Sequence, residues 1–170
     1  MSIRNYIAVL AFAGVFSTAQ AGEWTCVGSA FTLDESSLGS AANGPTPATS
    51  ARLQFLGNNV GTIEARCNIT NPNDAGSNPG WGHLEMTLND PDGMANPFGV
   101  VIELREVSKF TGNTVAFVIY DSSNFAQMIL RNFAFNHAWN FVNNAYYVNI
   151  TITRPNANMS PWLARVRLFD

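Results

Sequence analysis

Apolar and polar side chains alternate along several segments of this chain, and this pattern constrains the fold more than any other feature of the sequence. In residues 62–69, every second side chain is an apolar residue or a cysteine: Ile63, Ala65, Cys67 and Ile69. Residues 84–88, 146–152 and 162–168 repeat the pattern. A period of two is typical of β-strands with one face in the core and the other in solvent. The sequence therefore predicts an all-β protein.

Turn-forming residues separate these segments at short intervals and indicate how the strands are arranged. Apolar runs at residues 100–104 and 115–120 flank a connection with Gly112 and Asn113 at its tip, which is typical of a hairpin. Further strands are expected at residues 24–33, 52–56 and 125–130. About nine short strands with such connections predict a single antiparallel β-sandwich domain of jelly-roll type over residues 22–170.

The N-terminal segment, residues 1–21, has the organisation of a secretory signal peptide. Arg4 precedes an apolar run at residues 6–16, and Ala19 and Ala21 form the small-residue pattern of a cleavage site. The apolar run is shorter than the roughly 20 residues that a membrane-spanning helix needs. We therefore expect a secreted or periplasmic protein whose mature chain starts at Gly22 and has no membrane span.

The only two cysteines are Cys26 and Cys67. In an oxidising compartment an isolated pair of this kind is expected to form a disulfide. The alternative, a metal site with two cysteine ligands, lacks nearby partners because His83 and His137 lie far away along the chain. Closing a loop of this length stabilises a fold by about 4 kcal/mol in the chain-entropy description.

The charge content argues against one class of partner. Charged residues make up only 12% of the chain and Lys109 is the single lysine, whereas asparagine occurs 20 times. Nucleic-acid binding needs a clustered basic face, which this composition does not supply. An Asn-rich polar surface is common in exported β-proteins and in proteins that bind sugars.

One loop combines carboxylates and amides around a tight turn. Asn89, Asp90, Asp92 and Asn96 lie within eight residues, with Gly93 completing an Asp-x-Asp-Gly sequence. Calcium takes six to eight oxygen ligands, and Asp90 and Asp92 are candidate ligands for a structural calcium ion. Hydrogen bonding within Asx turns explains the same residues without a metal. No other cofactor is expected.

Trp81 lies between two glycines in a Pro- and Gly-rich loop. This position predicts an exposed indole that stacks on a sugar ring. The alternative is that Trp81 covers one end of the sandwich core. The predicted ligand contacts are therefore Trp81 and the polar loop residues Asn89, Asp90, Asp92 and Asn96.

Aromatic residues recur with a period of two in residues 133–141. They share one strand face: Phe133, Phe135, His137, Trp139 and Phe141. Facing inward, they would form part of the core. Facing outward, they would form a platform on which sugar rings stack. The sequence leaves both interpretations open.

The sequence contains none of the common catalytic motifs, so a non-enzyme is expected. Glycoside hydrolysis needs two converging carboxylates. Three pairs of acidic residues are close in sequence: Asp34 with Glu35, Asp90 with Asp92, and Glu103 with Glu106. Nothing in the sequence shows that any pair converges, and a small polysaccharide-active enzyme remains the third candidate.

Two stretches resemble uncharacterised secreted bacterial proteins of the jelly-roll, galactose-binding-domain-like type. One is residues 61–69, a strand that carries a cysteine, and the other is the pair of strands at residues 146–154 and 163–168. The resemblance implies a β-sandwich and favours non-catalytic binding of an extracellular or cell-envelope glycan. The alternative is a structural subunit of a surface layer, filament or envelope complex, which would self-associate or bind an envelope protein.

Overall fold

The computed structural model describes residues 22–43, 51–72, 78–94, 98–126 and 129–170. The segment predicted to be a signal peptide, residues 1–21, and the candidate ligand Asn96 lie outside the described residues. Within the described residues, the regular structure consists of β-strands and three short 3₁₀ turns: Gly28–Ala30, Glu35–Ser37 and Ser122–Asn124.

Five strands form one sheet, and neighbouring strands in it are antiparallel. In spatial order they are β2 (Thr32–Leu33), β5 (Gly61–Ile69), β10 (Asn144–Arg154), β7 (Gly99–Ser108) and β8 (Thr114–Asp121). The long central strands β5, β10 and β7 carry the clearest alternation in the sequence. β8 is the outermost strand on one side of this sheet.

Six strands form the second sheet, which is also antiparallel. Five of them follow the order β3 (Ala41–Asn43), β4 (Leu53–Phe55), β11 (Trp162–Phe169), β6 (His83–Asn89) and β9 (Leu130–Ala134). The sixth, β1 (Trp24–Val27), also pairs with β11. β9 is the outermost strand on the side opposite to β3.

The core lies between the two sheets and is built from the alternating positions. In β10 the side chains of Val148, Ile150 and Ile152 are fully buried, and in β6 those of Leu84 and Met86 are. The intervening residues of each strand are more exposed, as a period of two requires. The structure confirms an antiparallel β-sandwich of jelly-roll type. No helix of the described residues has both the length and the apolar character needed to cross a membrane.

The predicted disulfide between Cys26 and Cys67 is confirmed, with an S–S distance of 2.14 Å. Cys26 belongs to β1 of the six-stranded sheet and Cys67 to β5 of the five-stranded sheet. The bond therefore links the two layers covalently, across 41 residues of sequence. It holds the short strand β1 to a central strand of the opposite layer.

Candidate functional site

A groove opens at one side of the sandwich, where the outermost strands β8 and β9 of the two sheets lie next to each other. Its volume is about 580 Å³. We call it the edge groove and define it by its seven lining residues: Ile119, Tyr120, Asp121, Asn124, Phe125, Arg131 and Phe133. Strand β8, the Ser122–Asn124 turn that follows it, and strand β9 bring these residues together.

Three aromatic rings form the apolar wall of the edge groove. The rings of Tyr120 and Phe125 are nearly parallel, 4° apart, with 5.2 Å between their centroids. The ring of Phe133 lies 6.1 Å from that of Tyr120 at 16°. Tyr120 is buried, whereas Phe125 and Phe133 are only half-buried. The latter two therefore offer ring surface to a molecule in the groove.

Polar and charged groups surround this wall. The guanidinium of Arg131 lies over the Phe125 ring, 4.2 Å from its centroid. The Asp121 side chain accepts a hydrogen bond of 3.0 Å from the Ser123 amide, and this bond starts the turn that carries the exposed Asn124. An apolar wall with a few fixed polar groups is the usual composition of small-ligand sites. Aromatic faces pack against the C–H faces of sugars, while amides and carboxylates bind hydroxyls.

Sequence reasoning missed most of the edge groove. Most of its lining residues come from β8 and β9, which belong to different sheets. These two strands lie next to each other only because each is the outermost strand of its sheet. The chain does carry one usable signal: the aromatic residues Tyr120, Phe125 and Phe133 flank a polar turn. That signal does not reveal that the sheet edges stay open there.

The predicted loop of polar residues lies at the end of β6, behind the edge groove. Asn89 is half-buried and donates a hydrogen bond of 3.4 Å from Nδ2 to the Ser160 carbonyl. Asp90 is only 1% exposed, so its burial argues against the predicted direct contact with a glycan. Asp92 is half-buried, and its Oδ2 accepts a hydrogen bond of 3.3 Å from the Phe98 amide.

The two carboxylates of this loop are electrostatically unusual. Both side-chain oxygen atoms of Asp90, and Oδ1 of Asp92, are buried and accept no hydrogen bond of normal geometry. The pKa of Asp90 is raised to about 6 in total: burial is the largest cause and the nearby Asp92 carboxylate adds to it, against the lowering effect of the Ser122 hydroxyl and the Asp92 amide. No group of three or more His, Cys, Asp or Glu residues with metal-binding geometry occurs in the described part of the chain.

The prediction that Trp81 is an exposed stacking residue is wrong. Its side chain is 1% exposed. The indole Nε1 donates a hydrogen bond of 2.8 Å to the Gly22 carbonyl, and the Trp81 carbonyl accepts one of 2.9 Å from Trp139 Nε1. Gly80 has φ +75°, a conformation that side chains disfavour, and it lets the chain turn so that the indole points inward. The structure agrees with the alternative, in which Trp81 covers the core.

The aromatic run of residues 133–141 faces inward for most of its length. Beyond Phe133, its side chains join a single assembly that we call the aromatic cluster: Trp81, Phe117, Phe135, His137, Trp139, Phe141 and Tyr146. The His137 ring stacks on Phe117 at 3.8 Å, and Trp139 meets Trp81 edge to face at 5.3 Å. The core interpretation therefore describes residues 135–141, whereas Phe133 lines the edge groove.

Of the three acidic pairs, only Asp34 and Glu35 both line an open groove in the described part of the chain, and there they lie beside Arg66. Asp34 accepts hydrogen bonds of 3.1 and 2.7 Å from the amide and hydroxyl of Ser36, so it closes a turn. Glu103 receives the Arg105 guanidinium at 3.0 and 3.1 Å. Glu106 follows Glu103 by three residues in β7, so the two side chains point to opposite faces of the sheet. The Glu106 carboxylate lies 3.5 Å from Nε2 of His137 in the aromatic cluster. Asp90 and Asp92 are the buried pair described above.

Comparisons with known proteins find a weak likeness of fold. No protein-family model matches the chain, and no curated protein matches it significantly. The structure resembles the CBM36-1 domain of a multidomain xylanase from the hindgut metagenome of Trinervitermes trinervoides, with a TM-score of 0.46 and 8% identity over 88% of this chain and 98% of that one. It also resembles CBM86, a low-affinity xylan-binding module from Roseburia intestinalis, with a TM-score of 0.41 and 10% identity over 86% and 94% of the two chains.

A third similar structure is the xylan-binding module CBM15, with a TM-score of 0.38 and 13% identity over 82% of this chain and 95% of that one. All three TM-scores lie below 0.5. The function therefore has to be argued from the site itself.

Proposed function

We propose that this chain is an exported, non-catalytic glycan-binding module and that its binding site is the edge groove. The observation that carries the proposal is the half-buried pair Phe125 and Phe133, which presents ring surface beside the polar groups of Asp121, Asn124 and Arg131. We assign to Phe125 the sugar contact that the sequence predicted for Trp81, because Trp81 is buried in the aromatic cluster.

The size and polarity of the edge groove support a sugar as its ligand. Its volume of about 580 Å³ falls within the roughly 300–1,000 Å³ of typical ligand sites. A sugar ring has apolar C–H faces and a rim of hydroxyls, which matches an aromatic wall with an amide and a carboxylate at its edge. The Arg131 guanidinium covers one face of the Phe125 ring and Tyr120 is stacked on Phe125, so a sugar would contact the accessible surface that remains on Phe125 and Phe133, with the guanidinium at its rim.

Export to the cell envelope or the medium is the second part of the proposal. The composition of residues 1–21 supports it. The disulfide between Cys26 and Cys67 also supports it, because such bonds persist in oxidising compartments. A mature chain starting at Gly22 in the periplasm or outside the cell would meet envelope or extracellular glycans.

A glycan array tests the proposal, using the oxidised protein, a Phe125→Ala variant and a Phe110→Ala variant. Phe110 is 81% exposed near the tip of the β7–β8 hairpin, on the order of 15 Å or more along β8 from the edge groove, so it is a matched control. We expect reproducible glycan binding that Phe125→Ala weakens at least tenfold and Phe110→Ala leaves unchanged. An array without signals, or equal losses in both variants, would contradict the assignment.

One observation favours a second candidate function, that of a structural subunit. The outermost strands carry exposed apolar side chains: Val115 and Ile119 on β8, and Leu130 on β9. Exposed edge strands of this kind can pair with another chain. Sedimentation velocity over a hundredfold concentration range decides between the two: a monomer supports the binding module, whereas growing oligomers that Ile119→Lys disrupts support the structural subunit.

A further inference from the structure

The buried carboxylates of Asp90 and Asp92 form a second unusual site, separate from the ring surface of the edge groove. They follow the last residue of β6 and lie in a turn that the Gly93 amide closes on the Asp90 carbonyl at 3.4 Å. Gly93 has φ +65°, so the turn needs a glycine at this position. This turn places both acidic side chains on the protein side of the loop.

Three carboxylate oxygen atoms at this site are buried without a hydrogen bond of normal geometry, although the Ser122 hydroxyl and the Asp92 amide lie near the Asp90 carboxylate: Oδ1 and Oδ2 of Asp90, and Oδ1 of Asp92. A buried polar atom is nearly always satisfied by a partner, because its separation from water otherwise costs free energy. The charge that acts most directly on Asp90 is that of Asp92, which has the same sign. Two such carboxylates stay ionised together only when a cation compensates their charge; otherwise one of them takes up a proton.

We propose that Asp90 and Asp92 bind a calcium ion. The donor set consists only of oxygen atoms, which hard divalent cations prefer, and calcium accepts carboxylates in mono- or bidentate mode with water completing its shell. The anchor is Asp90, an almost fully buried carboxylate whose two oxygen atoms accept no hydrogen bond of normal geometry. The Asp92 Oδ2 atom, held by the Phe98 amide, fixes the orientation of the second carboxylate.

The cation site is connected to the edge groove through Ser122. The Ser122 hydroxyl lies beside the Asp90 carboxylate and accepts a hydrogen bond of 2.8 Å from the Val100 amide. Ser122 also begins the turn that ends at Asn124, directly before Phe125. A bound cation therefore holds the turn from which two groove residues project. The cation proposal does not depend on the identity of the groove ligand.

Thermal unfolding of the full oxidised protein, with calcium or with chelator, tests the cation site. We expect calcium at 100-fold excess over its Kd to raise the Tm of the wild type by about 5 °C or more. Asp90→Asn and Asp92→Asn should abolish this shift. The matched control Asp170→Asn changes an exposed residue at the C-terminus and should keep it. Magnesium should produce a smaller shift than calcium, because it demands a stricter octahedral geometry.

Terbium luminescence is a readout that does not require any variant to fold. Tb³⁺ replaces Ca²⁺ at oxygen sites, and the aromatic residues of the protein sensitise its emission. Tyr120 is the expected donor, because burial raises the pKa of its phenol and the Asp90 charge adds to this rise. We expect calcium-displaceable luminescence with one bound ion per chain. A wild type without a calcium-dependent Tm and without terbium luminescence would overturn the proposal. The proposal would also be overturned if Asp90→Asn raised the Tm and the wild type did not respond to calcium. That result would mean that Asp90 and Asp92 share a proton instead of binding a cation.

The cation test and the glycan test can fail independently. A calcium-dependent Tm without any glycan signal would sustain the cation site and contradict the binding function of the edge groove. Glycan binding that is the same in calcium and in chelator, together with a calcium-independent Tm, would do the reverse.

Discussion

Two neighbouring regions of the same sandwich edge contain the same kinds of residue and have opposite structures. In the aromatic cluster, residues 135–141 run across the opening between the sheets and fill it with Trp139 against Trp81. At the edge groove, β8 is followed by the short turn Ser122–Asn124, and within the described residues the rings of Phe125 and Phe133 keep accessible surface. Aromatic rings at the edge of this sandwich belong to the core where another segment covers them, and they line a candidate binding site where they stay accessible. The number of aromatic residues does not distinguish the two regions.

The polar groups of the two regions differ in the same way. Both tryptophans of the aromatic cluster donate their indole N–H groups to backbone carbonyls, at 2.8 and 2.9 Å. These donors are used within the protein and leave nothing for a ligand. At the edge groove, Asn124 is exposed, and Arg131 lies over a ring at the rim. The aromatic cluster should therefore contribute to stability, and the edge groove to binding.

Replacing Trp81 by alanine should give the largest loss of stability among these variants. Trp81 is fully buried and contacts Trp139 and Phe141, so the variant leaves a large cavity and removes the donor to the Gly22 carbonyl. We expect the free energy of unfolding to fall by about 3–5 kcal/mol. Chemical denaturation with urea measures it, and a loss below about 1 kcal/mol would contradict a core role.

Trp139→Phe should show how much the indole hydrogen bond contributes to stability, because it removes that bond while keeping an aromatic ring. The Trp81 carbonyl loses its donor, and the smaller ring packs less completely against Tyr146. We expect a loss of about 2 kcal/mol in the free energy of unfolding. The same urea titration measures it, and an unchanged midpoint would show that the indole N–H is not needed in the cluster.

Phe125→Ala should change stability less than either tryptophan variant. Phe125 is half-buried, and one face is covered by Arg131, so we expect a loss of about 1 kcal/mol in the free energy of unfolding. The tenfold weaker glycan binding proposed for this variant corresponds to about 1.4 kcal/mol. A stability loss as large as that of Trp81→Ala would place Phe125 in the core instead of at a binding surface.

The smallest effect is expected from the titration of His137 in the aromatic cluster. Burial lowers the pKa of His137, and the carboxylate of Glu106 at 3.5 Å opposes this only in part. The unfolded chain therefore takes up a proton near pH 6.5 that the folded chain takes up only at lower pH, so stability falls as the pH drops below about 6.5.

The variant His137→Phe keeps a ring to stack on Phe117 and has no titrating group. Its free energy of unfolding should depend less on pH between 7.5 and 5.5 than that of the wild type. Asp90 is present in both proteins, so its own titration cancels in the difference. Equal pH slopes for the two proteins would show that His137 is protonated equally in the folded and unfolded chains.

Alternation and cysteine count were sufficient to predict the layers and the disulfide. The period of two in β5, β6, β10 and β11 states which side of each strand is buried, because successive side chains point to opposite faces. The pair Cys26 and Cys67 had no competing partner in the sequence. The glycines around Trp81 misled the prediction, since they mark a turn and carry no information about which way the turn directs the indole.

The all-β class, the buried face of the long strands and the pairing of the two cysteines could be predicted from the chain alone, because each follows from local periodicity or from the lack of another candidate partner. In contrast, the packing of distant segments places Trp81 in the core, buries Asp90 beside Asp92, and brings Tyr120, Phe125 and Phe133 to one groove. Burial at a sheet edge depends on which distant segments lie across it, and that arrangement is a property of packing between strands, not of any one strand.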